Sequence, residues 1–190
     1  MNPGNRSPTL LEAAVAIQRV LGGESLLIGG AALGMWGVDR MTQDIDFAST
    51  LRPSTIVELF KNIGVSVDLE TGDPDDPVPW VIHGRIPAGD GRRVPFQIVP
   101  CLHGIQIENG VSTPDNRVRV VGFDDLVRLK CGAGGPQDLL DIARLALAYP
   151  GKIQSIREIA KEYRVLETLD EYLASSRLRD QRSKLGDLDR

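Results

Sequence analysis

Between Leu26 and Phe47 the chain reads LLIGGAALGMWGVDRMTQDIDF, and this segment constrains the fold more than any other. Ser25 to Ile28 is an apolar run with the length of a short buried strand. Gly29-Gly30 make a sharp turn, and Ala31 to Trp36 continue as a helix of small residues that packs tightly on a sheet. Gln43 to Ala48 then alternates as a strand. Ile45 and Phe47 point one way, Asp44 and Asp46 the other.

The flanking sequence extends the same architecture. Ser7-Pro8 opens a first helix, with serine as cap and proline at the first helical position. Gly22-Gly23 stop that helix. Pro53 to Asn62 reads as a helix, with Thr55 and Glu58 spaced as a capping box. Val65 to Leu69 is a strand, and Thr71 to Pro79 a loop. Trp80 to Ile86 and Arg93 to Val99 form a hairpin turned by Ala88-Gly89-Asp90-Gly91. Arg117 to Val121 is a further strand. Helical patterns follow over Phe123 to Cys131, Pro136 to Tyr149, Ile153 to Tyr163 and Leu166 to Ser175. The order predicts an α/β (α+β) chain, a mixed sheet with helices on one face and a C-terminal helical segment. The expected divisions are a core over 1–122, a helical segment over 123–178 packed on it, and a polar tail over 179–190.

Composition narrows the class. A chain of 190 residues, 42% apolar and 25% charged, can bury a core without disulfides and is not globally disordered. Its net charge of −4 argues against a wholly electrostatic nucleic-acid binder. The longest apolar stretch, Leu26 to Val38, is glycine-rich and too short to cross a bilayer, so no membrane role is expected. The N-terminus leads into an amphipathic stretch without the apolar core of a signal peptide. Two cysteines, Cys101 and Cys131, form no framework, and a reducing cytoplasm is the expected compartment.

Asp44 and Asp46 carry the chemistry. Residues i and i+2 of a strand share a face, and two carboxylates held together repel unless water or a cation lies between them. Hard oxygen ligands of this kind suit Mg²⁺ or Mn²⁺, which in turn grip nucleotide phosphates. A bare Asp-x-Asp is common on solvated strands. The glycines change its meaning, because a strand–GG–helix junction exposes backbone N–H groups that phosphate oxygens can approach closely.

The segment resembles the nucleotidyltransferase superfamily of the DNA polymerase β type. Members carry a GG or GS turn, a short helix and a hydrophobic-Asp-hydrophobic-Asp-hydrophobic strand. The small bacterial AbiEii-like branch is the closer resemblance, on Gly29-Gly30-Ala31, Gly37, Arg40, Thr42 and Asp44-Ile45-Asp46-Phe47. Leu126 to Ile142 (LVRLKCGAGGPQDLLDI) also looks like that branch. The resemblance implies that Gly29 and Gly30 hold an NTP triphosphate, that Asp44 and Asp46 bind Mg²⁺ or Mn²⁺ and that Lys130 neutralises phosphate charge. Taken by itself, Lys130 is equally an exposed helix lysine. Asp138 steadies the helical part or caps the helix opened by Pro136. A nucleotidyl group would pass from NTP to a hydroxyl on RNA, a protein or a small molecule, and a toxin with a cognate antitoxin is implied.

The sequence also departs from the family. Active members have a third acid on a neighbouring strand, where Val94 to Pro100 offers Gln97. Gly135 and Gln137 stand where relatives tend to have arginine and lysine. Asp68 is a substitute for the third acid only if it points to the site. Gln97 therefore supports a rival reading, a catalytically degenerate nucleotide-binding or partner-binding module. Weaker candidates are a zinc site from His83, His103, Cys101 and Cys131, which lack finger spacing, and Arg117 with Arg119 as phosphate contacts. The arginines of the tail are interleaved with aspartates, and Trp36 and Trp80 read as core.

Overall fold

A computed structural model describes residues 8–73, 75–89 and 91–175. The Ser7 cap, the Asp90 position of the hairpin turn and the polar tail lie outside the described residues. The chain divides into two compact units, Met1–Gly122 and Phe123–Arg190.

The first unit is built on a seven-stranded mixed sheet. In chain order it holds α1 (Pro8–Leu21), β1 (Ser25–Ile28), α2 (Gly29–Met35), β2 (Ile45–Ser49), α3 (Pro53–Asn62), β3 (Val67–Thr71), β4 (Trp80–Pro87), β5 (Arg93–Pro100), β6 (Val111–Ser112) and β7 (Arg119–Val120). The strand order is β3-β4-β5-β2-β1-β7-β6. The β2–β5 and β1–β7 pairs are parallel and the others antiparallel. The second unit contains α4 (Phe123–Ala133), α5 (Pro136–Ala148), α6 (Ile153–Glu162) and α7 (Leu166–Ala174).

Alternation decides which sheet face is buried. Ile45, Phe47, Ile82, Phe96 and Ile98 are almost wholly buried, on the face where α1 and α3 pack. Phe60 of α3 stacks on Phe96 of β5, ring centroids 4.9 Å apart. The opposite-pointing residues of the same strands, Asp46, His83 and Gln97, retain solvent exposure. Burying one face therefore leaves a row of polar side chains on the other.

Several boundaries differ from the sequence reading for identifiable reasons. The β3 strand begins at Val67, because Gly64 (φ 73°) and Val65 close the C-terminus of α3. The Gly64 amide bonds the Lys61 carbonyl at 3.0 Å, and the Val65 amide bonds the Phe60 carbonyl at 3.0 Å. The Thr55–Glu58 capping box does not form. Arg52 is the N-cap, and no side chain caps this helix, whose first turn starts at Pro53. The expected strand over 117–121 shrinks to Arg119–Val120, since residues 113–118 form a turn. Its Thr113 amide donates to the Val118 carbonyl at 2.9 Å, and β6, not anticipated, pairs across it.

Candidate active site on the open face of the sheet

The glycines open α2 themselves, with no separate turn before it. Gly29 has φ 66° and is already in the helix, which runs to Met35. A Cβ on Gly29 would overlap the carboxylate of Asp46. Only glycine lets this aspartate lie against the backbone at the strand–helix junction. A Cβ on Gly30 would come 3.0 Å from Thr42 Oγ1 and 3.3 Å from Arg40 Nη1. Thr42 in turn donates to Asp44 Oδ1 at 2.7 Å. The two glycines thus touch both aspartates, Gly29 directly and Gly30 through Thr42.

Asp44 precedes the ladder. It lies in the bend before β2, whose first paired residue is Ile45, and its side chain is fixed by Thr42. The reading of both aspartates on one strand is corrected to one on the strand and one at its entrance. Asp44 and Asp46 are both partly exposed.

Sheet register locates the third position. Asp46 pairs with Gln97 across the parallel β2–β5 ladder. Gln97 pairs with His83 across β5–β4, and His83 with Asp68 across β4–β3. Cross-strand partners share a face, so Asp46, Gln97, His83 and Asp68 form one row. At about 4.8 Å per strand, Asp68 stands roughly 14 Å from Asp46. Asp68 does share the open face, yet it is too distant to complete a ligand set with Asp46. A cleft of about 620 Å³ runs along this row, lined by Asp44, Gln97, His83, Asp68, Arg85 and Arg93 among others. A second cavity of about 550 Å³, mainly apolar, lies beside Gly30, Thr42 and Leu27.

The donor set fits a hard divalent cation in a restricted way. Among the described residues no group of three or more His, Cys, Asp and Glu side chains is arranged to hold a metal. The protein offers two carboxylates and, opposite Asp46, the neutral amide of Gln97. Mg²⁺ is commonly held by one or two carboxylates, with water and substrate phosphates completing the shell.

Lys130 is neither exposed nor without anionic partners. It is 5% exposed, and its Nζ lies 2.9 Å from Asp138 Oδ1 and 2.8 Å from Asp141 Oδ2. Gln137 also donates to Asp141 at 3.1 Å. Asp138 therefore pairs with Lys130, and Gly135 is the N-cap of α5 without any side-chain cap. Arg117 and Arg119 are likewise engaged. Arg117 Nε donates to Asp115 at 2.6 Å, and Arg119 donates to the carbonyls of Gly23 at 2.8 Å and Ile107 at 2.6 Å. Burial pushes the Cys131 thiol up to about 12. Cys101 is raised to about 11 by burial, then by the charges of Glu108 and Glu24. Neither is a thiolate at neutral pH.

Sequence reasoning named His83 only as a zinc candidate and missed Glu70, Arg85 and Arg93 on the open face. The alternation of β4 and β5 carried the signal, but the register that lines His83 up with Asp46 depends on the parallel β2–β5 pairing. Thr42 was visible in the motif without its role as the link from Gly30 to Asp44.

No protein-family model matches the chain, and no curated protein matches it either. Among solved structures, a proposed nucleotidyltransferase from H. pylori is similar, with a TM-score of 0.51 and 15% identity over 92% of this chain and 88% of that one. JHP933 from Helicobacter pylori gives a TM-score of 0.44 and 13% identity over 98% and 100% of the two chains. The first likeness establishes a shared nucleotidyltransferase-like fold and nothing finer.

Proposed function

We propose that this chain is a metal-dependent nucleotidyltransferase that passes a nucleotidyl group from an NTP to a hydroxyl acceptor. The observation that carries the reading is the seating of the Asp46 carboxylate against Gly29, with Asp44 tied through Thr42 to Gly30. This places acidic oxygens and close-approach backbone at one junction. The backbone amides of Gly29-Gly30 would bind triphosphate oxygens. Asp44 and Asp46 would hold Mg²⁺ or Mn²⁺, whose charge offsets that of the triphosphate. In the transfer, the acceptor oxygen bonds to the α-phosphorus as the bond to the β-phosphate bridging oxygen breaks, and pyrophosphate leaves with that electron pair. Lys130 fits a structural role in the helical unit, because Asp138 and Asp141 already match its charge.

Gln97 favours a second reading, a nucleotide-binding or partner-binding module without catalysis. An amide opposite Asp46 cannot take a proton at neutral pH. Transfer of label from α-labelled NTP to a pool of RNA and protein acceptors separates the two. Metal-dependent labelling that rises in Gln97→Asp supports the transferase. NTP binding with no labelling in either protein supports the module. A toxin role, with a cognate antitoxin as partner, rests on the AbiEii-like resemblance. It predicts growth arrest on expression that Asp46→Asn relieves.

A further inference from the structure

The open-face cleft carries both signs of charge, with Asp44 and Asp68 as well as Arg85 and Arg93 in its lining. Arg93 Nη2 donates to the backbone carbonyl of Arg85 at 3.4 Å, and both residues line the cleft. Gln97 lines it as well, beside Pro95, the cross-strand partner of Arg85. His83 lies two residues along β4 from Arg85 and directly opposite Gln97. Behind it, Glu70 Oε2 stands 3.3 Å from His83 Nε2. A neutral imidazole donating Nε2–H to Glu70 leaves Nδ1 as a proton acceptor.

This arrangement answers the deficit at Gln97. The next side chain along the row is an imidazole backed by a carboxylate, about 10 Å from Asp46 between Cα atoms at two strand spacings. Gln97 stands on the strand between them, so an acceptor oxygen and a phosphoryl group would lie over its amide. A cleft of about 620 Å³ accommodates a molecule of mononucleotide size. Two arginines in the lining of one cleft suit a phosphate-bearing ligand.

We propose that this cleft seats the acceptor, a hydroxyl-bearing molecule that also carries a phosphate, with Arg85 and Arg93 on the phosphate and His83, oriented by Glu70, taking the hydroxyl proton. The proton passes from the acceptor hydroxyl to His83 Nδ1 as the acceptor oxygen bonds to the α-phosphorus and pyrophosphate departs. Glu70 is a positioning residue that stabilises the resulting imidazolium. The proposal rests on the transferase reading above.

The test uses the full chain with Mg²⁺, a non-hydrolysable NTP analogue, and glycerol 3-phosphate as the probe, with glycerol as control. With the analogue bound, glycerol 3-phosphate should shift the amide resonances of β4 and β5, and glycerol should not. Arg85→Gln/Arg93→Gln should weaken the probe by about tenfold or more, while the analogue still binds. With α-labelled NTP and the probe as acceptor, His83→Gln should slow transfer by about 10²–10⁴-fold with probe and analogue affinities unchanged. Glu70→Gln should also lower turnover at unchanged probe affinity. Equal probe binding by the double arginine variant, wild-type turnover in His83→Gln, or no transfer by a wild type that binds both ligands would overturn the proposal. The transferase reading survives the first two of these results, and the third favours the non-catalytic module. Failure of the analogue to bind at all removes that reading and the acceptor role together.

Discussion

Charged side chains in the two units are used in opposite ways. In the helical unit, Lys130 is buried and its ammonium sits between Asp138 and Asp141, the second of which is fully buried. On the open sheet face of the first unit, Asp44, Asp46, Gln97 and His83 keep solvent exposure, and Asp44, Gln97 and His83 border a cleft. A charge surrounded by partners inside a fold serves the fold, since exposing it would strand buried anions. Carboxylates held at a surface junction by glycine contacts remain accessible to a ligand. The lesson is that a motif residue acquires its role from burial and partners, and that Lys130 and Asp46, equally prominent in sequence, belong to different categories of work.

The largest expected effect breaks the buried side of that comparison. Asp141→Ala leaves the Lys130 ammonium half-matched in a closed site and should cost about 3–5 kcal/mol of stability, read by denaturant unfolding of the whole chain. Lys130→Met strands two carboxylates and should cost a similar amount. A loss under about 1 kcal/mol for both variants would show that the cluster is solvated and that Lys130 is available for other partners.

A pair of glycines sharpens the open side. Gly22 and Gly29 both have φ 66°, but a Cβ at Gly22 meets nothing within 4 Å, whereas one at Gly29 overlaps Asp46. Alanine at either position carries a backbone cost of about 1–2 kcal/mol. Only Gly29→Ala should also displace the Asp46 carboxylate and reduce metal-dependent nucleotide binding. Equal nucleotide binding by the two alanine variants would mean that Asp46 does not need its seat.

The smallest effect concerns the thiols. With Cys101 near 11 and Cys131 near 12, alkylation of the native protein at pH 7 should be slow and should accelerate only as pH climbs toward those values. The folded-state values lie above the ordinary thiol value of about 8.5. Their contribution to stability is therefore full below that pH and is lost as pH rises through 11 to 12. Rapid labelling of both cysteines at pH 7 without unfolding would contradict these raised values.

Much of this fold was legible because local signals agreed with one another. Pro53 to Asn62 is helical with the expected bounds, since proline at the start and an apolar stripe ending in Phe60 leave little choice. Ser25 to Ile28 is a strand for the same reason. Local chemistry misled where a turn consumed residues that looked extended, as at Val65 and Arg117. The Asp46–Gln97 neighbourhood was reachable from strand pattern alone, but its continuation through His83 to Asp68 was not, because register is a property of the assembled sheet. The partners of Lys130 were equally hidden. Asp138 and Asp141 lie on the next helix, and only the turn between α4 and α5 brings them to it.

The central claim is that Asp44 and Asp46, seated at the glycine junction, form a metal–nucleotide site. It is tested most directly by calorimetric titration of a non-hydrolysable NTP with Mn²⁺ into wild type, Asp44→Asn and Asp46→Asn. Both variants should remain folded and lose roughly tenfold to a hundredfold or more in metal-dependent affinity. Wild-type affinity in both folded variants would contradict the claim.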